Sequence, residues 1–306
     1  MSASEFRRTL LDEGILVPGG VTGLYHRSFA FERIARGVES YVSHAGDVAE
    51  SRRLYFPPVM AKSTLVKSGY LRSFPDLVGV ISTFGGSDRE LPALLARVDA
   101  EEEWSDLLVS TDVAMCSAAC HSLFPLFQGD TLGRDGTVYE IQGTCFRHEP
   151  SEDPARMQSF RQHEFVYLGT AEGALAHRTY WLERGTELLG ALGLAVEVVV
   201  ANDPFFGRAG RLLATGQLEK ELKYEITSPI SSAVAGAIAS GNYHEDHFGV
   251  DFRILLEDGS PVHSACIGFG LERISLALVL AYGTHVDQWP GDVRHLLQLE
   301  TGRLAP

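Results

Sequence analysis

The chain is poor in the features that name a protein quickly. Four cysteines in 306 residues cannot form a disulfide framework, and their spacing suits a reducing compartment with thiol or metal chemistry. Basic residues are in the minority: 26 Lys+Arg against 40 Asp+Glu leave a formal charge of −14, so the overall field repels polyanions, and a nucleic acid would need a local basic patch. No apolar run reaches the roughly 20 residues of a membrane span; the longest, 188–201, contains Glu197. The acidic start (Glu5, Asp12, Glu13) lacks the cationic and apolar regions of an export signal, which predicts a cytoplasmic protein. Neither a Walker G-K-[ST] nor a Rossmann G-x-G-x-x-G occurs. What is present, 45% hydrophobic and 22% charged residues, is the composition of a globular chain with a substantial core.

Apolar spacing predicts an amphipathic helix over 29–42, an acidic helical stretch over 90–108, a helix over 175–194 and a nearly all-apolar buried helix over 271–282. Strands are expected at 53–60, where Pro57 and Pro58 demand an edge or interface, and at 139–146, 165–168, 197–200 and 252–256. Irregularly interleaved helices and strands, without repeats or linkers, predict an α+β fold with a mostly antiparallel sheet. A single domain over 1–306 is expected, with 1–28 as an N-terminal extension and 171–223 as an insertion-like helical region.

The densest polar segment is 144–169. Arg147 and Glu149 end one strand and Arg161 and Glu164 begin the next, so two guanidiniums and two carboxylates crowd one sheet surface. A generic Arg/Glu hairpin is usually a solvated surface. Arginine pairs, however, suit bidentate capture of phosphate. A second element, ACIGFGLERI over 265–274, adds Gly268 and Gly270 at a strand-to-helix turn with Arg273 in the first turn beyond.

Together, F-R-H-E (146–149), F-R-Q-H-E-F (160–165) and G-F-G-L-E-R (268–273) resemble motifs 2 and 3 of the class II aminoacyl-tRNA synthetases, in the seryl branch. The helix from Phe29, the Pro57-Pro58 strand and KSGYLRSFPDL (67–77) resemble the motif 1 dimer region, so the resemblance covers about 29–282. It implies a class II catalytic fold, a homodimer, and ATP binding with Mg2+. Arg147 would hold the α-phosphate, Glu149 the adenine amino group, Phe165 the adenine ring, Arg161 the phosphates and Arg273 the γ-phosphate, with Gly270 and Glu225 beside ATP. Arg147 and Arg273 would carry the catalysis.

Ordinary seryl enzymes have glutamine at the place of Glu164 and lack the cysteines. The zinc-dependent seryl enzymes of methanogens, and their truncated homologues the amino acid:[carrier protein] ligases, have a Cys/Glu/Cys zinc site there. The resemblance therefore implies one Zn2+ on Cys120, Glu164 and Cys266, gripping the substrate's amino group. Cys116, four residues before Cys120, is the alternative ligand, although ACHSLFP (119–125) is the better match at Cys120; Cys145 reads as packing. SGNYHEDHFG (240–249) resembles a ligase stretch beside the amino-acid pocket, which makes Asn242, His244 and Asp246 substrate residues. A solvated polar loop is the ordinary reading of such a run.

Only about 28 residues precede the first matched helix, too few for the tRNA-gripping arm of seryl enzymes, and the acidic surplus agrees. The resemblance thus implies amino-acid activation followed by transfer to the phosphopantetheine thiol of a carrier protein. Arg208, Arg211, Lys220 and Lys223 form the densest basic cluster and the expected docking face. Gly169 stands where seryl enzymes place a substrate-binding glutamate, which points away from serine towards glycine first and alanine second. A zinc-dependent enzyme acting on tRNA or another small acceptor, and a non-catalytic regulator on the same fold, remain the alternatives.

Overall fold

The computed structural model describes residues 1–49 and 52–300. In chain order it contains α1 (Ala3–Asp12), β1 (Leu16–Pro18), β2 (Tyr25–Arg27), α2 (Phe29–Gly46), β3 (Arg53–Phe56), β4 (Val59–Ala61), α3 (Lys62–Lys67), α4 (Tyr70–Ser73), β5 (Val80–Phe84), α5 (Leu91–Asp99) and β6 (Leu108–Met115). These are followed by β7 (Thr131–Leu132), β8 (Thr137–Phe146), β9 (Ser159–Gly169), α6 (Ala171–Ala191), β10 (Glu197–Ala201), α7 (Gly207–Glu219), β11 (Lys223–Pro229), β12 (Ala235–Tyr243) and α8 (His247–Phe252). The chain closes with β13 (Leu255–Leu256), β14 (His263–Gly270), α9 (Leu271–Tyr282) and α10 (Gly291–Leu296).

The main sheet runs β10-β11-β12-β14-β9-β8-β3, antiparallel throughout except for the parallel β3–β8 pair, as the α+β expectation required. Helices α2, α6 and α9 cover one face, where Phe31, Ile34, Trp181, Leu188, Phe269 and Ile274 join one core cluster. The other face carries a second cluster, including Phe124, Ile141, Val166 and Phe252, and the rest of that face is left open as a cavity. No helix among the described residues is long and apolar enough to cross a membrane.

Several expectations shift. The two prolines break the 53–60 strand: β3 ends at Phe56 and lies at the edge of the main sheet, while β4 starts at Val59 in a separate β4-β6-β5 sheet. The 90–108 stretch is helical only over α5 and passes through a short 3-10 turn into β6. The strand expected at 252–256 shrinks to β13, because α8 runs to Phe252 and Arg253 then turns in the left-handed region at φ 55°. Residues 171–223 are built into the main fold: α6 buries Trp181, Leu182, Leu188 and Leu189 in the main core, and β10 is a strand of the main sheet. Phe6, Leu10, Ile15 and Leu16 likewise join that core, so 1–28 is integral to the domain.

Candidate active site

Alternation along β9 decides the site. Successive strand side chains point to opposite faces, so Phe160, Gln162 and Glu164 face the cavity while Arg161, His163 and Phe165 face the helices. The same parity on β14 brings Cys266, Gly268 and Gly270 to the cavity, and on β12 and β11 it brings Ser240, Asn242, Lys223 and Glu225. The ladder sets Gly268 opposite Glu164, where a Cβ would come within 3.3 Å of the glutamate Cγ. Glycine here leaves the carboxylate its place.

Cys120, on a short 3-10 turn over Ala119–Ser122, completes a set with Glu164 and Cys266 whose ligand atoms all lie within 4.8 Å of one another, every residue buried. Cys120 rather than Cys116 therefore belongs to this set. Cys116 and Cys145 pack beside it in the second core cluster, and the Cys145 thiol donates to Gln162 Oε1 at 3.0 Å. Glu164 Oε1 is buried without any hydrogen-bond partner. A stranded carboxylate oxygen is costly, and two thiols beside it form the soft donor set that a zinc ion takes with a further position open to substrate. The residues fit the metal. The Cys120 hydrogen bond holds the Cys266 thiol well below its usual range against burial, while burial and the Cys266 sulfur push Glu164 well above the usual carboxylate range. His244 Nε2 lies 3.6 Å from Cys266 Sγ and Asn242 donates to the same sulfur at 3.7 Å, so both flank the set from β12 and the turn after it.

A cavity of about 400 Å³ opens from this set, within the range of small-molecule sites. Arg147, Arg156 and Arg273 line one end. Arg147 continues β8, donates to the Ser117 carbonyl at 3.2 Å and lies 5.3 Å above the Phe160 ring. Arg273 is braced by the carbonyls of Ala155 and Ala237. Burial, and then the neighbouring Arg147 and Arg156, push the Arg273 guanidinium below its usual value. Cations crowded in this way have strong use for an anion. Glu149 and Glu225 also line the cavity, Glu149 paired with Arg156 at 3.3 Å and Glu225 with Lys223 at 3.1 Å.

Three expectations fail on geometry. Phe165 is fully buried on the helix face, stacked 4.0 Å from Trp181, and cannot reach a base; Phe160 is the aromatic of this segment that lines the cavity, beneath Arg147. Arg161 turns from the cavity to Glu272 (2.7 Å) and Glu32 (2.9 Å), with Arg27 closing the network, and has no free hand for phosphate. Asp246 is exposed at the start of α8 and lies outside the cavity, which His244 and His247 line instead.

The basic cluster also divides. Lys223 is 9% exposed inside the cavity, held by Asp203 and Glu225, and Lys220 pairs with Glu245 at 3.1 Å. Arg208 and Arg211 remain exposed on α7. Asp203 and Gln217 line the cavity although no sequence signal marks them, because a loop and a helix distant in sequence bring them there. Phe160 was legible in principle, since only an aromatic an even number of residues from Glu164 shares its face.

No protein-family model matches the chain. Among curated proteins it is 36% identical over 283 residues to amino acid–[acyl-carrier-protein] ligase 1 of Bradyrhizobium diazoefficiens, spanning 92% of this chain and 86% of that protein. It is 37% identical over 290 residues to ligase 2 of the same organism, spanning 94% and 86%. The type-2 serine–tRNA ligase of Methanopyrus kandleri is 22% identical over 81% of this chain and 51% of its own length. The solved Methanopyrus kandleri seryl-tRNA synthetase in complex with tRNA superposes with a TM-score of 0.81 at 17% identity, over 96% of this chain and 60% of that one. With two relatives above 30% identity across nearly its whole length, the chain belongs to the amino acid–[acyl-carrier-protein] ligase family, a family of ligases, here on the class II synthetase catalytic fold.

Proposed function

We propose that the chain activates a small amino acid, glycine first and alanine second, with ATP and Mg2+, and transfers it to the phosphopantetheine thiol of a carrier protein. The observation that carries this reading is one cavity holding three crowded arginines at one end and, at the other, a buried Cys120–Glu164–Cys266 set with an unpartnered carboxylate oxygen. The names of the two Bradyrhizobium relatives support the carrier as acceptor.

In the first half-reaction the substrate carboxylate oxygen bonds to the α-phosphorus, the bond to the β-phosphate bridge breaks, and pyrophosphate leaves. Arg147 sits where the α-phosphate gains negative charge, and Arg273, with Arg156, balances the departing phosphates. Phe160 supports the adenine, Glu149 accepts from its amino group, and Gly270 and Glu225 border the nucleotide. A zinc ion on Cys120, Glu164 and Cys266 would supply a Lewis-acid hold on the substrate amino group. Asn242 and His244 order the same end of the cavity through their contacts to Cys266. In the second half-reaction the carrier thiol gives up its proton to water, its sulfur bonds to the carbonyl carbon, and the bond from that carbon to the phosphate oxygen breaks, so AMP leaves and a thioester remains.

Arg208 and Arg211, exposed on α7 with Leu212 (77%) and Leu213 (53%), form the docking face for the carrier. The β3 edge, with Tyr55 74% exposed just before Pro57 and Pro58, is the dimer-forming edge, and the protein works in the cytoplasm. The similarity to type-2 serine–tRNA ligases keeps tRNA as a second reading of the acceptor.

Amino-acid-dependent ATP–pyrophosphate exchange tests the activation. Glycine is expected to give the strongest signal, and exchange with no amino acid overturns the reading. Mass spectrometry of a holo carrier protein beside a tRNA control identifies the acceptor. Arg208→Glu with Arg211→Glu is expected to lower carrier loading at least tenfold with exchange unchanged; unchanged loading removes α7 as the docking face.

A further inference from the structure

The cavity leaves the metal-ligand set in two directions. Along β14 it passes Gly268 and Gly270 to Arg273, the phosphate end. Across the strands it meets a different wall. Asn242 is the ladder partner of Cys266, and Lys223 is the ladder partner of Asn242. Lys223 Nζ donates to Asp203 and pairs with Glu225 at 3.1 Å. Asp203 is fixed from behind by Gln217: its backbone N–H donates to Gln217 Oε1 at 2.7 Å, and its carboxylate accepts from Gln217 Nε2 at 2.9 Å. Apart from Glu225, placed above beside the nucleotide, the residues of this wall have no role in the phosphate chemistry derived above.

An amino acid that places its amino group at the Cys–Glu–Cys set and its carboxylate towards the arginines can turn its side chain to this wall or to the His244–Phe248–His121 side of the cavity. We propose that the Asp203–Lys223 pair is the specificity wall of the amino-acid site, selecting against apolar side chains longer than the alanine methyl by electrostatics as well as by size. A methyl group pressed against the pair strips water from two charges and returns no hydrogen bond. A hydroxyl of the same size shares the donors and acceptors already there. Sites built from polar groups reject analogues that cannot pair with them far more strongly than apolar pockets reject an extra methylene. The inference rests on the adenylate-forming reading above and adds the residues that choose the substrate.

The test compares L-serine with L-2-aminobutyrate, which differ by a hydroxyl in place of a methyl, on the zinc-loaded wild-type protein. Exchange kcat/KM is expected to favour serine by roughly tenfold or more. Seryl-sulfamoyl adenosine is expected to raise the melting temperature more than its 2-aminobutyryl counterpart. Equal or reversed preference in either measurement, with glycine active, overturns this inference alone. Absence of exchange with every amino acid overturns the adenylate reading and this inference with it. The double variant Lys223→Met/Asp203→Asn keeps side-chain volume and both Gln217 contacts while removing the charges, and is expected to reverse the order. An unchanged order, or loss of activity towards all amino acids alike in a folded variant, counts against the wall; if the variant does not fold, the two wild-type measurements decide.

Discussion

The two faces of β9 carry similar side chains and treat them in opposite ways. On the helix face Arg161 meets Glu272 and Glu32, and His163 meets Glu140 at 3.1 Å, with Ser43 and Arg53 also on that carboxylate. On the cavity face Glu164 has a carboxylate oxygen with no partner, and the arginines at the other end crowd one another. A charge that faces an opposite charge, as Glu140 faces Arg53 and His163 even though Glu140 Oε2 and His163 Nε2 lack hydrogen-bond geometry, belongs to the architecture; a carboxylate oxygen buried beside thiols with no cation against it marks where a ligand completes it. One strand separates the two roles by a single residue step.

The largest effects should come from the face with unpaired groups. Arg147→Ala is expected to lower exchange about 10²–10³-fold with the fold intact, and Cys120→Ser or Cys266→Ser to remove zinc in metal analysis. Zinc retained in both cysteine variants would refute the ligand set.

On the paired face the loss should appear as stability. Arg161→Met leaves Glu272 and Glu32 with Arg27 as their one remaining guanidinium, which costs up to about 3–5 kcal/mol, the value for a broken buried pair. A wild-type melting temperature with a tenfold higher KM for ATP would instead return Arg161 to the phosphate site and dissolve the contrast. The pH dependence sharpens it. Burial opposes ionisation of Glu32, but Arg161 and Arg27 outweigh it and hold the carboxyl below its ordinary 4.5. A depressed folded value means stability that is present above pH 4.5 and drains away as pH falls through the lower value. Acid denaturation profiles of Arg161→Met should be flatter in that window than those of the wild type.

The smallest effects separate the two phenylalanines. Phe160→Ala should raise KM for ATP about tenfold, in line with about 1–3 kcal/mol for base stacking, whereas Phe165→Leu should leave KM within about twofold and cost at most about 1.5 kcal/mol of stability. Equal effects on KM would mean that parity does not govern the site.

The sequence made legible what rests on local pattern. The apolar run over 271–282 is α9 to the residue, the double proline marked a sheet edge, and the Cys/Glu/Cys set came together as the motif resemblance implied. Phe165 and Arg161 were misplaced because F-R-Q-H-E-F offers two aromatics of opposite parity, and the strand's face is fixed only when α2, α6 and α9 pack on it. Lys223 read as surface charge, since nothing local announces that Asp203 and Gln217 come back to bury it. Asp246 sits among ligand-like neighbours, yet the start of α8 turns it outward.

The uninterrupted ladder of β9 against β8 and β14 also limits how this protein can change over evolutionary time. Adding or deleting one residue within 159–169 would rotate Glu164 into the helical core and Phe165 into the cavity, exchanging the two faces in one event. Point substitutions cannot restore that arrangement stepwise. Length variation in this part of the chain therefore has to be absorbed by the 148–158 loop, where the backbone between the strands has no face to exchange.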